Sequence, residues 1–324
     1  MTRNFKVAAV AALAGALALS GCSGEKKETV DVVGFSILKS ANEDVFKAFE
    51  DTDDGKGVTF KTSYGASGDQ SRAVEGGQAA DFVHFSLETD VTRLVDEGKV
   101  AEDWNQDKTK GIITSSVVVF VVRPGNPDNI KTWEDLTKPG VEVITPNPFT
   151  SGGARWNVMA AYGAQLKAGK SSKQGYDYMV KLFKNVSVQD KSARESLNTF
   201  ASGKGDVLIG YENEAIFAKK NGVQLQYIVP SSTILIENPL AAAKNAPSQA
   251  KAFVKWLKTP PAQKIWAENG YRPVVPSVLK QAKFPKPAKL FKIGYVGGWN
   301  VVSKKWFDRQ NGLMLKVEQQ AQGG

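Results

Sequence analysis

A strand that leads through a glycine–serine loop into a helix is predicted twice in this chain, and this pair constrains the fold most. The first copy runs from residues 58–64 through the loop 65–70 (GASGDQ) into a helix that ends near Gly76. The second runs from residues 141–145 through a loop with two prolines into Ser151-Gly152-Gly153, and apolar residues then recur at three- and four-residue steps. Ser151 is therefore a predicted N-cap, because its hydroxyl can accept a hydrogen bond from the first helical turn.

Strand-like and helix-like segments alternate along most of the remaining chain. The run SSVVVFVVR at residues 115–123 is rich enough in β-branched residues for a strand buried on both faces. This alternation predicts an α/β fold with a mainly parallel sheet, in which ligands bind beyond the carboxyl ends of strands. Both glycine–serine loops occupy that position. Ser67 and Ser151 lie 84 residues apart, so we expect the loops to belong to different domains and to face each other across a cleft.

The starts of these two helices are suited to a small anion. The first N–H groups of a helix have no partner within the helix, and the positive end of the helix dipole lies there. Glycines after the cap let a ligand approach without obstruction by a Cβ. An ordinary capped helix would have the same local sequence, so the pattern by itself leaves both interpretations open.

Residues 1–29 are set apart from the rest. Arg3 and Lys6 precede the apolar run 7–19, and small residues follow, which predicts a secretory signal peptide over residues 1–21. The next residue is Cys22, the only cysteine, and Leu-Ser-Gly-Cys resembles the lipobox of bacterial lipoproteins. The resemblance implies that Cys22 carries lipid, that residues 22–29 form a lipidated N-terminus and linker, and that the protein is anchored outside the cytoplasm.

Composition excludes several kinds of chemistry. The chain has a formal net charge of +9 and scattered lysines, and an exported location makes nucleic acid an improbable partner. Cys22 and His84 are the only cysteine and histidine, so a multi-histidine or cysteine-based metal site is not expected. The carboxylates Glu212 and Glu214 could serve acid–base catalysis, but we interpret them as part of a positioned loop and His84 as a structural residue.

Several short motifs together identify a family resemblance. They are SYGASGDQ at residues 63–70, VITPNP at 143–148, SGGARWN at 151–157, NTF at 198–200, GDVLI at 205–209, ENEA at 212–215, YRP at 271–273 and GGW at 297–299. With these motifs the chain resembles the sulfate- and thiosulfate-binding proteins of bacterial ABC importers. The motifs occur in order over nearly the whole mature chain. The resemblance implies an α/β fold of the two-lobed type II periplasmic binding protein kind, with a two-stranded hinge. It places lobe I at residues 30–115 and 225–324 and lobe II at 116–224, with the C-terminal helix able to return to lobe II.

The resemblance also implies a site made of uncharged hydrogen-bond donors. Carried over by position, the donors are the backbone N–H groups of Ser67, Gly152, Gly153 and Ala193, together with the hydroxyl of Ser151.

Two further positions depart from the family pattern. Leu38 stands where the family usually has an aspartate whose backbone contributes, and Tyr211 stands in place of a tryptophan, so that a phenol replaces the indole N–H as donor.

The expected function is capture of sulfate, or of thiosulfate, by a monomer without cofactor or metal, for delivery to an ABC permease. Sulfate at neutral pH has no proton to donate, whereas hydrogen phosphate would leave a proton facing another donor. Binding of another tetrahedral oxyanion such as molybdate or phosphate remains an alternative. An exported phosphatase or sulfatase acting through Glu212 or His84, and an adhesion or signalling module on the same fold, are the others.

Overall fold

A mixed β-sheet surrounded by helices forms the protein, and the computed structural model describes residues 28–323. The strands of this part are β1 (Glu28–Phe35), β2 (Val58–Gly65), β3 (Phe82–His84), β4 (Ile112–Val122), β5 (Val143–Ile144), β6 (Val186–Val188), β7 (Val207–Tyr211), β8 (Gln226–Ile228), β9 (Ser232–Ala242), β10 (Arg272–Pro273) and β11 (Lys289–Phe291). Their order along the main path of the sheet is β2-β1-β3-β9-β4-β7-β5-β6. The predicted signal peptide and Cys22 lie outside the described residues.

Helices follow most of these strands. They are α1 (Lys39–Glu50), α2 (Ser67–Glu75), α3 (Glu88–Asp96), α4 (Gly152–Lys167), α5 (Ser172–Lys184), α6 (Ala193–Ala201), α7 (Glu212–Lys220), α8 (Ser248–Trp256), α9 (Pro260–Glu268), α10 (Pro276–Ala282), α11 (Trp299–Phe307) and α12 (Leu313–Gln322). Among residues 28–323, no helix combines the length and apolar character that crossing a membrane requires.

Two long strands connect the two halves of the sheet. In one half β1 pairs in parallel with β2 and β3, and in the other β5 pairs in parallel with β6 and β7. Strand β4 pairs with β9 through residues 112–117 and with β7 through residues 118–122, always antiparallel. Strand β9 in turn pairs with β3 through residues 240–242. The chain therefore crosses between the halves along β4 and β9.

The core confirms that β4 is buried on both faces. Val118, Phe120 and Val122 belong to one apolar cluster, whereas the alternate residues 117, 119 and 121 belong to another. Successive side chains of a strand point to opposite faces, so both faces of β4 must be covered. Helix α4 is also buried nearly all round, since residues 152–154 and 156–165 are inaccessible to solvent.

The predicted α/β fold is confirmed, and the expectation of a mainly parallel sheet is wrong. Each half is parallel, but β4 runs antiparallel to β7 and β9, and β9 runs antiparallel to β3 as well. β-Branched composition predicts burial of a strand and does not fix its direction. Strand β9 continues through Asn238 and Pro239 to Ala242, although residues of these two types are uncommon within strands.

Two local expectations are corrected as well. Residues 212–214 form the first turn of α7 and not a loop, and carboxylates are favourable at that end of a helix. The polar composition from Gln319 onward predicts a frayed tail, but residues 319–322 belong to α12. Helix α12 packs against α5 and buries Met314 and Val317, which explains why residues 319–322 are helical.

Candidate functional site

The starts of three helices from both halves of the sheet meet at the candidate site. Helices α2, α4 and α6 each begin beyond the carboxyl end of a strand, namely β2, β5 and β6. A β-carbon at Gly68 would lie 3.2 Å from the carbonyl oxygen of Thr150, and one at Gly153 would lie 3.4 Å from the Cβ of Ala193. The two glycine–serine loops therefore touch each other, as expected, and α6 joins them.

Ser151 caps α4 as predicted. Its Oγ accepts a hydrogen bond from the backbone N–H of Ala154 at 3.4 Å, and its side chain is buried. Because the hydroxyl accepts in this contact, its own proton remains available to a ligand. The N–H groups of Gly152 and Gly153 belong to the first turn of α4, where no carbonyl of the same helix can reach them.

Close packing across the site depends on the missing side chain of Gly152. A β-carbon there would lie 2.8 Å from the Cβ of Ser86 and 2.9 Å from the Cγ of Leu87. Ser86 and Leu87 follow β3 in one half of the sheet, and α4 belongs to the other. The two halves can therefore approach this closely only with glycine at position 152.

Tyr211 ends β7 and is the N-cap residue of α7. Its ring lies against α4, since a β-carbon at Gly153 would lie 3.6 Å from Cε1 of Tyr211. Its hydroxyl oxygen is 2.8 Å from Oγ of Ser86, and Asn238 is a further hydrogen-bond partner. Burial raises the pKa of the Tyr211 hydroxyl, so this group stays protonated at physiological pH and can donate.

The Ser67 hydroxyl already has two partners within the protein. It donates to Oδ2 of Asp90 at 2.6 Å and accepts from the backbone N–H of Ser86 at 2.9 Å. Burial raises the pKa of Asp90, and the charge of Arg155 and the Ser67 hydrogen bond oppose the rise. The hydroxyl of Ser67 is therefore committed to Asp90 and Ser86, which leaves its backbone N–H at the start of α2.

Leu38 lies next to the start of α6. It ends a short 3-10 helix, Ser36–Leu38, that contacts α6, and its side chain is fully buried. The carbonyl of Ile37 accepts hydrogen bonds from the hydroxyl of Tyr271 at 3.1 Å and from Arg194 at 3.5 Å. The structure thus brings Leu38 to the edge of the same cluster as the other predicted site residues.

Sequence reasoning missed Ser86, which lies at the centre of this network. Besides its contacts to Ser67 and Tyr211, its carbonyl accepts a hydrogen bond from Nε1 of Trp156 at 2.8 Å. Its place directly after β3, at the carboxyl end of a strand, is the signal that could have found it. Ser192 was missed as well, and it is the N-cap of α6 through a 3.3 Å hydrogen bond from the backbone N–H of Glu195.

Charged side chains near the site are paired with one another. Arg194 forms a two-pronged contact with Glu214 at 2.8 and 2.9 Å, and Arg272 forms one with Glu212 at 2.7 and 3.1 Å. Burial raises the pKa of both glutamates, and the paired arginines oppose that rise. Neither carboxylate is therefore free to act as a general acid or base.

The arginines that follow the two loops are also engaged elsewhere. Arg72 forms an ion pair with Asp69, and Arg155 donates from Nε to the carbonyl of Pro148 at 2.8 Å and stacks on Phe307. Because other groups of the protein engage both side chains, we do not expect either arginine to contact a bound anion directly.

His84 is a structural residue in this fold, as interpreted from the sequence. It lies edge-on between Phe35 and Trp266, and its Nε2 is 3.5 Å from Oγ1 of Thr114. Burial lowers the pKa of His84 to about 3, so the ring is neutral at physiological pH. Between residues 28 and 323, no group of three or more His, Cys, Asp and Glu side chains is placed to hold a metal ion.

A cluster of buried N–H and O–H donors, with Glu212 and Glu214 nearby already paired with arginines, can hold a small doubly charged anion. Two lobes joined by a two-stranded hinge, with helix starts facing each other between them, are the features of a periplasmic binding protein. A family described as "Bacterial extracellular solute-binding protein" matches residues 30–272. The chain belongs to this family.

Relatives that match most of the chain are named sulfate-binding and thiosulfate-binding proteins. The sulfate-binding protein of Synechococcus elongatus is 36% identical over 99% of this chain and 98% of its own length. The thiosulfate-binding protein of Pseudomonas aeruginosa is 33% identical over 91% of this chain and 93% of its own. The solved structure of the sulfate-binding protein SubI from Mycobacterium tuberculosis is 45% identical, covers 87% of this chain and 100% of its own, and superposes with a TM-score of 0.84.

Proposed function

We propose that this protein captures sulfate outside the cytoplasmic membrane, closes its two lobes around the anion and delivers it to an ABC importer. The observation that carries the proposal is the convergence of the starts of α2, α4 and α6 from both halves of the sheet. Relatives that cover nearly the whole chain are named sulfate-binding proteins, which supports the choice of ligand. Thiosulfate is the second candidate, supported by the name of the Pseudomonas aeruginosa relative.

The proposed ligand groups are uncharged. They are the backbone N–H groups of Leu38, Ser67, Gly152, Gly153 and Ala193 and the hydroxyls of Ser151 and Tyr211. Each hydrogen bond to a charged ligand contributes roughly 1.5–3 kcal/mol, so a few of them give micromolar binding after the cost of association. A site made only of donors discriminates against hydrogen phosphate, because the phosphate proton would face a donor and lose about 1–3 kcal/mol.

Closure follows from the placement of these groups in both halves of the sheet. Lobe I is proposed as residues 30–115 and 225–324 and lobe II as 116–224, with β4 and β9 as the connecting strands. The packing of α12 on α5 supports a return of the C-terminal helix to lobe II. A ligand held by donors from both lobes binds the closed state better than the open one, and therefore shifts the population toward it.

We propose that the protein binds its ligand without catalysing a reaction. We also propose that a lipid on Cys22 holds it at the membrane. The pairing of Glu212 and Glu214 with arginines supports a binding role, because it leaves neither carboxylate available for proton transfer. The Leu-Ser-Gly-Cys motif supports the anchor.

Calorimetric titration with sulfate, thiosulfate, molybdate and phosphate tests the ligand. We expect micromolar or tighter binding of sulfate, and no heat with phosphate at the same concentration. The Ser151→Ala variant should weaken sulfate binding roughly tenfold or more, because one hydrogen bond to the anion is lost while the fold remains. No heat with sulfate at tens of micromolar would refute the proposed function, and an unchanged affinity in Ser151→Ala would remove this hydroxyl from the site.

A further inference from the structure

The basic charge of the chain is concentrated in one stretch near its C-terminus. Between Glu268 and Asp308 there is no acidic residue, but there are eight basic ones, against a formal net charge of +9 for the whole chain. Arg272 is buried in its pair with Glu212. Lys304 lies in a cleft beside Glu75, Asp96 and Glu97, so its charge is compensated locally.

The middle of this stretch, residues 276–301, is here called the basic–apolar segment. Its five lysines are all exposed, and they are Lys280, Lys283, Lys286, Lys289 and Lys292. The same segment contains every large apolar side chain that is exposed among residues 28–323, namely Leu279, Leu290, Tyr295 and Val301, at 39–53% of their full accessible area. Single exposed apolar residues are ordinary, but their confinement to one acid-free segment is not.

Contacts with the rest of the protein, and within the segment itself, fix the conformation of this segment. The buried Arg272 donates to the carbonyl of Pro285 at 2.8 Å and lies 5.2 Å from the ring of Phe284. Further along, the buried ring of Phe291 contacts Tyr295, whose ring also lies 3.7 Å from Nζ of Lys167. These contacts fix the backbone. Lys292 also pairs with Glu237 at 2.8 Å, and Nζ of Lys289 lies 3.5 Å from the carbonyl oxygen of Lys167, although both lysines are exposed.

We infer that the basic–apolar segment is a docking surface for a membrane that contains anionic lipids. Lysines with aliphatic side chains and a tyrosine among them suit the boundary of headgroups and acyl chains, where each lysine contributes about 1 kcal/mol near an anionic surface. Protein interfaces are instead depleted of lysine and enriched in arginine, whereas every exposed cation of this segment is lysine. A lipid on Cys22 would keep the domain near the membrane, since the few residues before Glu28 extend at most roughly 20 Å.

Binding to vesicles tests this surface separately from sulfate binding. The first strand begins at Glu28, so the mature chain with Cys22→Ser retains every element of the described fold. We expect this protein to bind vesicles of phosphatidylcholine with phosphatidylglycerol and not vesicles of phosphatidylcholine alone. The triple variant Lys280→Gln, Lys286→Gln, Lys289→Gln should bind the anionic vesicles on the order of a hundredfold more weakly, at roughly fivefold per lysine.

Two further variants test whether vesicle binding depends on the apolar side chains and on the position of the lysines. Leu290→Ser with Val301→Ser should weaken vesicle binding severalfold without changing the net charge. The matched control removes the same charge at Lys108, Lys184 and Lys251, which are exposed and lie outside the segment, and it should lose far less affinity. Sulfate titrations of all variants should be unchanged, which shows that they are folded.

Absence of binding to anionic vesicles, or an equal loss in the control variant, would overturn the inference. If vesicle binding is absent and the segment variants lose sulfate uptake in cells while keeping sulfate affinity, the surface binds a protein partner and not a membrane. A wild-type protein that gives no heat with sulfate would refute the proposed function. The vesicle assay would still test the docking surface, because it does not depend on sulfate binding.

Discussion

Replacement of Gly152 by alanine should prevent the two halves of the protein from closing fully. The added Cβ would lie 2.8 Å from the Cβ of Ser86 and 2.9 Å from both Oγ of Ser86 and Cγ of Leu87. Ordinary contacts of this kind are about 3.5–4.0 Å, so the surfaces must separate by on the order of 0.6–1 Å. Overpacking of this size costs about 1–3 kcal/mol, which corresponds to a roughly 5- to 150-fold loss of affinity for a ligand that needs the closed state.

The substitution should leave the folding of each half intact. Gly152 has an ordinary helical conformation, and alanine is at least as favourable as glycine in a helix. The clash lies between the start of α4 and the residues after β3, so separation of the halves relieves it without repacking a core. We therefore expect the free energy of unfolding without anion to change by less than about 1 kcal/mol.

Isothermal calorimetry with sulfate gives the affinity, and small-angle scattering with and without sulfate gives the extent of closure. Gly210→Ala is the matched control, because its added Cβ would meet Leu208 at an ordinary 3.6 Å and lies one residue from Tyr211. The control should bind sulfate like the wild type. If Gly152→Ala retains affinity within twofold and closes to the same dimensions, contact between Gly152 and Ser86 is not part of the liganded state and the reasoning fails.

Three further variants test the hydroxyl network and the buried histidine. Tyr211→Phe should weaken sulfate binding roughly tenfold or more by calorimetry, because a donor to the anion is lost, and wild-type affinity would confine this hydroxyl to its contact with Ser86. Ser67→Ala should lower the free energy of unfolding in urea by about 1–3 kcal/mol, because Asp90 loses a buried partner, and should reduce sulfate affinity less than Ser151→Ala does; the reverse ranking would make the Ser67 hydroxyl a ligand. The pKa of His84 is lowered to about 3 in the folded protein, whereas in the unfolded chain it is about 6.5. Between these two pH values the unfolded chain binds a proton at His84 and the folded protein does not, so stability falls as the pH drops from 6.5 toward 3. Between pH 7.5 and 5.0 this loss is about 2 kcal/mol, and in urea unfolding His84→Gln should show a pH dependence smaller by that amount; equal pH dependence would mean that His84 is protonated in the folded state.

Local sequence was sufficient to predict the start of α4, one of the three helix starts at the candidate site. Ser151 was identified as an N-cap because a capping residue, two glycines and a helical repeat lie within a few positions of one another, and capping is a local interaction. The same reasoning found α2 but extended the loop to residue 70, whereas the helix begins at Ser67. Capping signals can be recognised in a single sequence because the capping residue and the helical turn that it caps are neighbours in the chain.

The contacts that assemble the site were not predictable in the same way. Ser86 meets Tyr211 across 125 positions, and Trp156 meets Ser86 across 70. No periodicity connects such positions, since their proximity depends on how β4 and β9 join the halves of the sheet. For the same reason the sequence suggested that two loops face each other but gave no sign of the Asp90 carboxylate behind Ser67.

The arrangement of charge suggests how the site can remain neutral and yet bind a dianion. Arg194 directly follows Ala193, yet its guanidinium is held by Glu214 and reaches the carbonyl of Ile37 next to Leu38. An arginine free to contact the anion would add an attraction to its negative charge, and phosphate and sulfate would share that attraction. Pairing Arg194 with Glu214 weakens this attraction and leaves the choice to uncharged N–H and O–H groups, which reject any ligand that carries a donor of its own. Disrupting the pair with Glu214→Gln should therefore raise the affinity for phosphate relative to sulfate in calorimetric titrations, and a selectivity that stays unchanged would show that pairing of Arg194 does not contribute to discrimination.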